Sequence, residues 1–83
     1  MLELKSDVLE ITLPEGNMQN ELIEICINEL KEIEKDLYGL DVKINGRLTT
    51  GMALALGHKL SHICKSVSIF DPKEKQYFTA IKH

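Results

Sequence analysis

Residues 41–71 read DVKINGRLTTGMALALGHKLSHICKSVSIFD, and the order of segments within them indicates the fold class. An apolar run, a glycine-containing turn, a segment with helical periodicity and a second apolar run together predict a strand-helix-strand crossover. We expect strands over 41–45 and 66–70 and a helix over 50–64. Ligands of open parallel sheets bind in the crevice outside the carboxyl ends of the strands, so we expect the functional residues there.

The segments on either side of this crossover complete a small α/β domain. Alternating apolar residues predict a half-buried strand over 7–13, preceded by an extension over 1–5, and a final strand over 76–81 in a hairpin. A helix is expected between the strand over 7–13 and the crossover. It is capped by Asn17 or Asn20, ends at Tyr38-Gly39 and carries one apolar stripe. The stripe consists of Leu22, Cys26, Leu30, Ile33 and Leu37.

The predicted fold class is therefore one Rossmann-like α/β domain over residues 1–83. Its elements follow the order strand-helix-strand-helix-strand-strand, with a mostly parallel sheet and a terminal hairpin. A domain of this size has a modest core, so self-association is an expected source of further stability. Cys26 and Cys64 lie in apolar helical segments without a CxxC partner, and we interpret both as reduced packing residues.

Charge and hydropathy exclude some classes of function. Thirteen acidic and ten basic residues give a net charge of −3, which argues against a general DNA- or RNA-coating protein. A small anionic ligand held by a few local groups is compatible with this charge. No apolar run approaches the roughly 20 residues that span a bilayer, and the start MLELKSD lacks the apolar core of a signal peptide. We therefore expect a cytoplasmic protein without a membrane partner.

Asn45, Gly46 and Arg47 directly follow the second predicted strand. Glycine permits a close backbone approach, and the arginine beside it offers a planar fork of donors that matches phosphate or carboxylate. Thr49 then leads into a helix whose unpaired amides can meet the same anion. The pattern is compatible with an anion site, but a Gly-Arg pair is more often an ordinary turn with a solvated arginine.

The helix over 50–64 has residue patterns on two faces. Met52, Leu56, Leu60 and Ile63 form the stripe expected to pack on the sheet. The opposite face lacks the Glu, Lys and Gln of a solvated surface, which leaves three interpretations: surface histidines, a packed dimer seam, or a zinc site on the i, i+4 histidine pair. That face consists of Gly51, Leu54, Ala55, His58 and His62.

Asp71 and Pro72 end the third predicted strand. Proline disfavours helix for the residue before it, so Asp71 is expected to be extended at the strand exit, with its carboxylate in a defined place. An ordinary turn-initiating Asp-Pro pair is the alternative. The residues 73–75 that follow predict a tight polar turn.

In combination, INGR (44–47), LGHK (56–59), His62, SIFDPK (68–73) and His83 resemble the small CRISPR-associated family called CRISPR ring nuclease three, or Csx-three. The resemblance covers the C-terminal half in motifs and the N-terminal half in layout. It implies a compact α/β domain similar to the CARF-like sensors of cyclic oligoadenylates, and cleavage of cyclic tetra-adenylate, the second messenger of type III CRISPR defence. Manganese-dependent removal of 3′ adenylates from RNA is also ascribed to the family.

The resemblance implies roles for individual residues. His62 aligns with the catalytic histidine if one inserted residue near Ser61 is allowed; otherwise Ser61 fills that slot. Asp71 and Lys73 align with the aspartate and the following basic residue. The tryptophan and proline that often follow Gly-Arg in the family are replaced by residues 48–51. The remaining implied ligand-binding residues are Asn45, Gly46, Arg47, Thr49, His58 and His83.

The resemblance also implies partners. The expected ligand is cyclic tetra-adenylate, held in a homodimer or in a tetramer that sandwiches it, with histidine and aspartate from different subunits. Manganese is the candidate cofactor, no metal ligand is assigned, and DNA is not an expected partner. The alternative function is a non-catalytic sensor or sink that binds the same ring.

Overall fold

The computed structural model of the protein describes residues 1–16 and 18–82, which form a small, compact α/β domain. Its two helices alternate with the central strands, as the periodicity predicts. The elements are β1 (Leu2–Lys5), β2 (Val8–Ile11), α1 (Gln19–Leu37), β3 (Asp41–Gly46), α2 (Thr50–Ile63), β4 (Ser66–Asp71) and β5 (Gln76–Lys82).

The five strands form one sheet in the order β1-β2-β3-β4-β5. The β2–β3 and β3–β4 pairs are parallel, whereas β1–β2 and β4–β5 are antiparallel. The predicted terminal hairpin of β4 and β5 is confirmed. The prediction of a mostly parallel sheet is wrong, because the sheet is mixed and the chain begins with an additional strand.

The additional strand arises from a hairpin at residues 5–8. Lys5 pairs with Val8, so a two-residue loop joins β1 to β2. Ser6 supports the reversal with a positive φ of 59°, the backbone region that two-residue hairpins require. The segment predicted as one strand over 7–13 therefore begins at Val8, and the predicted extension before it is a strand of its own.

Both helices pack on the same face of the sheet. Gly51 at the start of α2 approaches the side chains of Gln19 and Ile23 in α1, so the two helices begin side by side. The core lies between this helix layer and the sheet. It contains the predicted stripes, with Ile33 and Ile63 only partly buried, and its buried members are Leu9, Ile11, Leu22, Cys26, Leu30, Leu37, Val42, Ile44, Met52, Leu56, Leu60, Cys64 and Val67.

The two cysteines are free and buried, which confirms their prediction as packing residues. Burial raises the pKa of the Cys26 thiol to about 11, and it also raises the pKa of Cys64. A thiol with a raised pKa stays protonated near neutral pH and is a poor nucleophile. Both side chains therefore act in packing rather than in chemistry.

The ends of α1 agree only in part with the predicted helix caps. Met18, rather than Asn20, is the N-cap of α1, and its amide donates to the Glu21 carboxylate at 3.2 Å. Asn17, the other predicted cap, lies outside the described residues. Tyr38 is the C-cap, so the predicted closure at Tyr38-Gly39 is confirmed.

None of the described helices is long and apolar enough to cross a membrane.

Candidate functional site

Strand β3 ends with a glycine that no other residue can replace without a clash. Gly46 has a φ of 118° and pairs with Ile11 of β2, and a Cβ atom built at Gly46 would overlap the Ile11 carbonyl oxygen. Arg47 follows on the surface. Together with the end of β2 it lines an open depression of about 440 Å³, which also contains Glu15. The predicted close backbone approach is therefore present, with Arg47 exposed beside it.

The N-terminus of α2 lies directly after this arginine. The Thr49 side chain accepts a hydrogen bond from the Met52 amide at 3.1 Å, and its hydroxyl donates to the Gln19 side chain. Thr49 thus caps the helix, and the predicted contact of its hydroxyl with an anionic ligand would have to replace the bond to Gln19. The backbone N–H groups of the first helical turn are the remaining donors at this end.

The β4–β5 hairpin supplies the next polar groups. Ile44 pairs with Ile69, so two residues further along the parallel strands Gly46 and Asp71 reach the same edge of the sheet. Oδ1 of Asp71 accepts hydrogen bonds from the amides of Lys73 at 2.8 Å and Glu74 at 3.4 Å. The carboxylate therefore orders the predicted tight turn, and Lys73 is exposed within that turn.

Asn45 points away from this edge. Its side-chain amide donates to both carboxylate oxygens of Glu10, at 3.3 and 3.4 Å, on the sheet face that carries no helix. The predicted ligand contact of Asn45 would have to break these bonds. The residues that share the carboxyl edge of the sheet are therefore Gly46, Arg47, Asp71 and Lys73.

The two histidines lie on the exposed side of α2. The rings of His58 and His62 meet edge to face with centroids 4.9 Å apart. The Ser61 hydroxyl donates to the His58 carbonyl oxygen at 2.6 Å, a bond to the backbone of its own helix. Ser61 and His62 are the two candidates for the position of the family's catalytic histidine. His62 carries an exposed imidazole, whereas the Ser61 hydroxyl is hydrogen-bonded to the backbone of its own helix.

A single chain does not bring His62 to the other predicted catalytic residues. His62 lies twelve positions after Thr50, and a rise of about 1.5 Å per residue separates the two along α2 by ~18 Å. Arg47 lies at the opposite end of that helix, and Asp71 and Lys73 lie at the same edge as Arg47. His83, another predicted ligand contact, lies outside the described residues.

The described side chains of one protomer do not form a metal centre. Among residues 1–16 and 18–82, no group of three or more His, Cys, Asp or Glu side chains could hold a metal ion. Within this part of the chain the His58–His62 pair has no third ligand for the zinc interpretation, and the donor set does not fit a manganese ion.

A second polar concavity, which was not predicted from the sequence, lies on the helix-free face of the sheet. It encloses about 370 Å³ and is lined by Asp41, Lys43, Lys65, Ser66, Ser68, Thr79 and Lys82. Alternation of polar residues along 41–45 and 66–70 is the signal that could have revealed it, because alternate residues share one face of a strand.

Most of the polar groups that line this concavity have partners, within it or beside it. Lys43 contacts Asp7 at 2.8 Å, which raises the pKa of Lys43 and lowers that of Asp7. Ser66 donates to Asp41 at 2.6 Å, and a 3.0 Å hydrogen bond joins Ser68 to Thr79. These bonds order the open face of the sheet.

Comparisons with known proteins assign neither a family nor a function to the chain. No family model matches the chain, and neither the curated proteins nor the solved structures contain a significant match.

Proposed function

We propose that the protein binds cyclic tetra-adenylate at the carboxyl edge of β3 and β4 and cleaves it with a histidine from a second copy. The observation that carries the proposal is the convergence of anion-binding groups at this edge: the Arg47 guanidinium, the first-turn amides of α2 and the Lys73 ammonium. Each matches a phosphodiester, in a chain whose overall charge is negative.

The fold is compatible with this assignment. The order β2-α1-β3-α2-β4 contains two consecutive crossovers between parallel strands, the arrangement that Rossmann-like and CARF-like nucleotide sensors use. The motifs at 44–47, 56–59 and 68–73 resemble those of CRISPR ring nuclease three. In this proposal the chain acts in the switching-off of type III CRISPR antiviral signalling, in the cytoplasm.

The proposed chemistry is an internal transesterification. A ribose 2′-oxygen attacks the adjacent phosphorus in line, the bond from phosphorus to the 5′-oxygen breaks, and the products are linear with a 2′,3′-cyclic phosphate. His62 takes the proton from the 2′-hydroxyl or gives one to the leaving 5′-oxygen, because an imidazole can serve as a general base or as a general acid. Arg47 and Lys73 stabilise the charge that develops on the phosphate oxygens.

Asp71 has a positioning role in this proposal. Its Oδ1 is held by two backbone amides, so the carboxylate is fixed at the site edge and can orient an incoming histidine through its other oxygen. A ring of four equal nucleotides has rotational symmetry, which lets a two-fold dimer present the same groups to it twice.

The alternative function, a non-catalytic binder or sink, is favoured by the ~18 Å that separates His62 from the helix N-terminus within one chain. The protein can hold the ring through Arg47 and the helix amides without bringing an imidazole to the phosphate. The two functions share a ligand and differ in turnover.

One assay distinguishes them. The purified protein, in excess over cyclic tetra-adenylate, is incubated with and without manganese, and the products are separated by chromatography. We expect linear products that end in a 2′,3′-cyclic phosphate. Tight binding by calorimetry with an intact ring would select the binder, and the absence of both binding and cleavage would exclude both functions.

A further inference from the structure

The polar concavity on the helix-free face of the sheet lies at the end of the strands opposite to the candidate site. Asp41 and Ser66 are the first residues of β3 and β4, whereas Gly46 and Asp71 are the last. Five steps of about 3.3 Å separate the two ends of each strand by ~16 Å. The concavity of about 370 Å³ is therefore a separate surface, and the proposed function uses none of the residues that line it.

Two serines form the floor of this concavity. Ser66 and Ser68 are each only 9% exposed, although no helix covers this face of the sheet. They lie in the middle of the concavity, between longer side chains from the flanking strands β3 and β5. Their neighbours in the sheet are Asp41 and Lys82 for Ser66, and Lys43 and Thr79 for Ser68. Short residues between long ones produce a depression where the sheet would otherwise be flat.

The charged groups of the lining do not cancel. Lys43 is neutralised by Asp7, which it contacts at 2.8 Å. Within residues 1–16 and 18–82, neither Lys65 nor Lys82 forms an ion pair. The described lining contains one carboxylate, that of Asp41. Two ammonium groups therefore stand against one carboxylate in a chain whose net charge is −3.

The positive and negative groups occupy different sides of the concavity. Ser66 lies between Asp41 and Lys82, so the backbones of these two residues are two strand spacings, or ~10 Å, apart. Lys65 directly precedes Ser66 and lines the same concavity. An anionic group is therefore favoured beside the two lysines. Hydroxyl groups are favoured beside Asp41, because an ionised carboxylate only accepts hydrogen bonds.

The floor adds a further hydrogen-bonding group. A 3.0 Å hydrogen bond joins the hydroxyls of Ser68 and Thr79, and it uses one of their two protons. The second proton lies outside that bond and can be donated to a ligand. No aromatic side chain is among the described lining residues, so the concavity offers no stacking surface for a nucleobase.

From this arrangement we propose that the concavity binds a sugar phosphate. The phosphate monoester contacts the ammonium groups of Lys65 and Lys82, in charge-assisted hydrogen bonds. The sugar hydroxyls bond to Asp41 and to the Ser68–Thr79 pair. The volume lies at the lower end of the range for small-molecule sites. Because the concavity is open and its lysines are exposed, the expected dissociation constant is about 0.1–1 mM.

A ¹H–¹⁵N NMR titration of the whole chain with ribose 5-phosphate at constant ionic strength tests the proposal. Up to about 10 mM ligand, we expect saturable shifts of the backbone amides of Ser66, Ser68 and Thr79. Ribose and inorganic phosphate, titrated separately, each lack one half of the proposed contacts. Both should bind at least about tenfold more weakly than ribose 5-phosphate.

Substitutions separate the charge of the site from its shape. Lys65→Gln and Lys82→Gln should each weaken binding by about fivefold or more. Lys31→Gln, which removes the same charge from the exposed face of α1, is the matched control and should leave the affinity unchanged. Ser68→Leu fills the floor without altering the charge and should abolish saturable binding. The dispersion of the amide spectrum shows whether each variant is folded.

Three results would overturn the proposal. They are shifts confined to residues 47–50 and 71–73, equal affinities for inorganic phosphate and ribose 5-phosphate, and an unchanged affinity in both Lys65→Gln and Lys82→Gln. The absence of any saturable shift would overturn it as well. The titration contains no cyclic tetra-adenylate, so its outcome is independent of the proposed function.

Discussion

Replacing Gly46 with alanine is expected to lower the melting temperature by about 15 °C. Alanine at a φ of 118° is strained, and its Cβ would overlap the Ile11 carbonyl oxygen of the neighbouring strand. Strain and overpacking each cost about 1–3 kcal/mol, so we expect a loss of ~3 kcal/mol in the free energy of unfolding. Thermal unfolding followed by circular dichroism measures this effect.

Gly16→Ala is the matched control for this variant. Gly16 also has a positive φ, 79°, but a Cβ atom there meets no atom within 4 Å. Alanine at this position carries the backbone strain without the overlap, and we expect a loss of only about 1 kcal/mol. Equal losses in the two variants would show that the close approach of Gly46 to β2 does not govern stability.

The second large effect concerns catalysis. His62→Ala should reduce the rate of cyclic tetra-adenylate cleavage by about 10²–10⁴-fold, the usual contribution of a general acid or base. Binding of the ring should change much less, because the guanidinium and helix amides that hold the phosphates remain. Single-turnover kinetics with enzyme in excess measure the chemical step, and calorimetry measures the affinity.

Ser61→Ala is the neighbouring control. Its hydroxyl is bonded to the His58 carbonyl on the same helix, and we expect the cleavage rate to stay within about threefold of wild type. A large loss in Ser61→Ala together with a small one in His62→Ala would assign the catalytic slot to Ser61. Equal, small losses in both variants would remove both side chains from the chemistry.

Much of the fold follows from local patterns in the sequence. The 3.6-residue spacing of Leu22, Cys26 and Leu30, and of Met52, Leu56 and Leu60, predicts two helices whose buried faces are the observed ones. The β1–β2 hairpin escaped prediction because Ser6-Asp7 lacks the glycine or asparagine that usually marks a two-residue turn. Strand direction depends on pairing between distant segments, which periodicity does not encode, so the mixed sheet could not be predicted from it.

The candidate site was predictable in part. Connectivity alone indicated that Arg47 and Asp71 share the carboxyl edge of the sheet, since both follow strands on either side of one crossover helix. The length of that helix also implied that His62 lies at its far end from Arg47. The family resemblance did not reveal this separation, because matching motifs carry no information about the distance between their residues. Asn45 and Thr49 illustrate a further limit, because their engagement by Glu10 and Gln19 depends on tertiary contacts.

If the His62 of one copy acts with the Arg47 of the other, mixing two inactive variants should restore part of the activity. His62→Ala and Arg47→Ala proteins are combined in equal amounts and assayed for cyclic tetra-adenylate cleavage. In a randomly exchanged mixture half of the dimers are mixed and each carries one intact site, so we expect about one quarter of the wild-type rate. A mixture no more active than the two variants alone would contradict it.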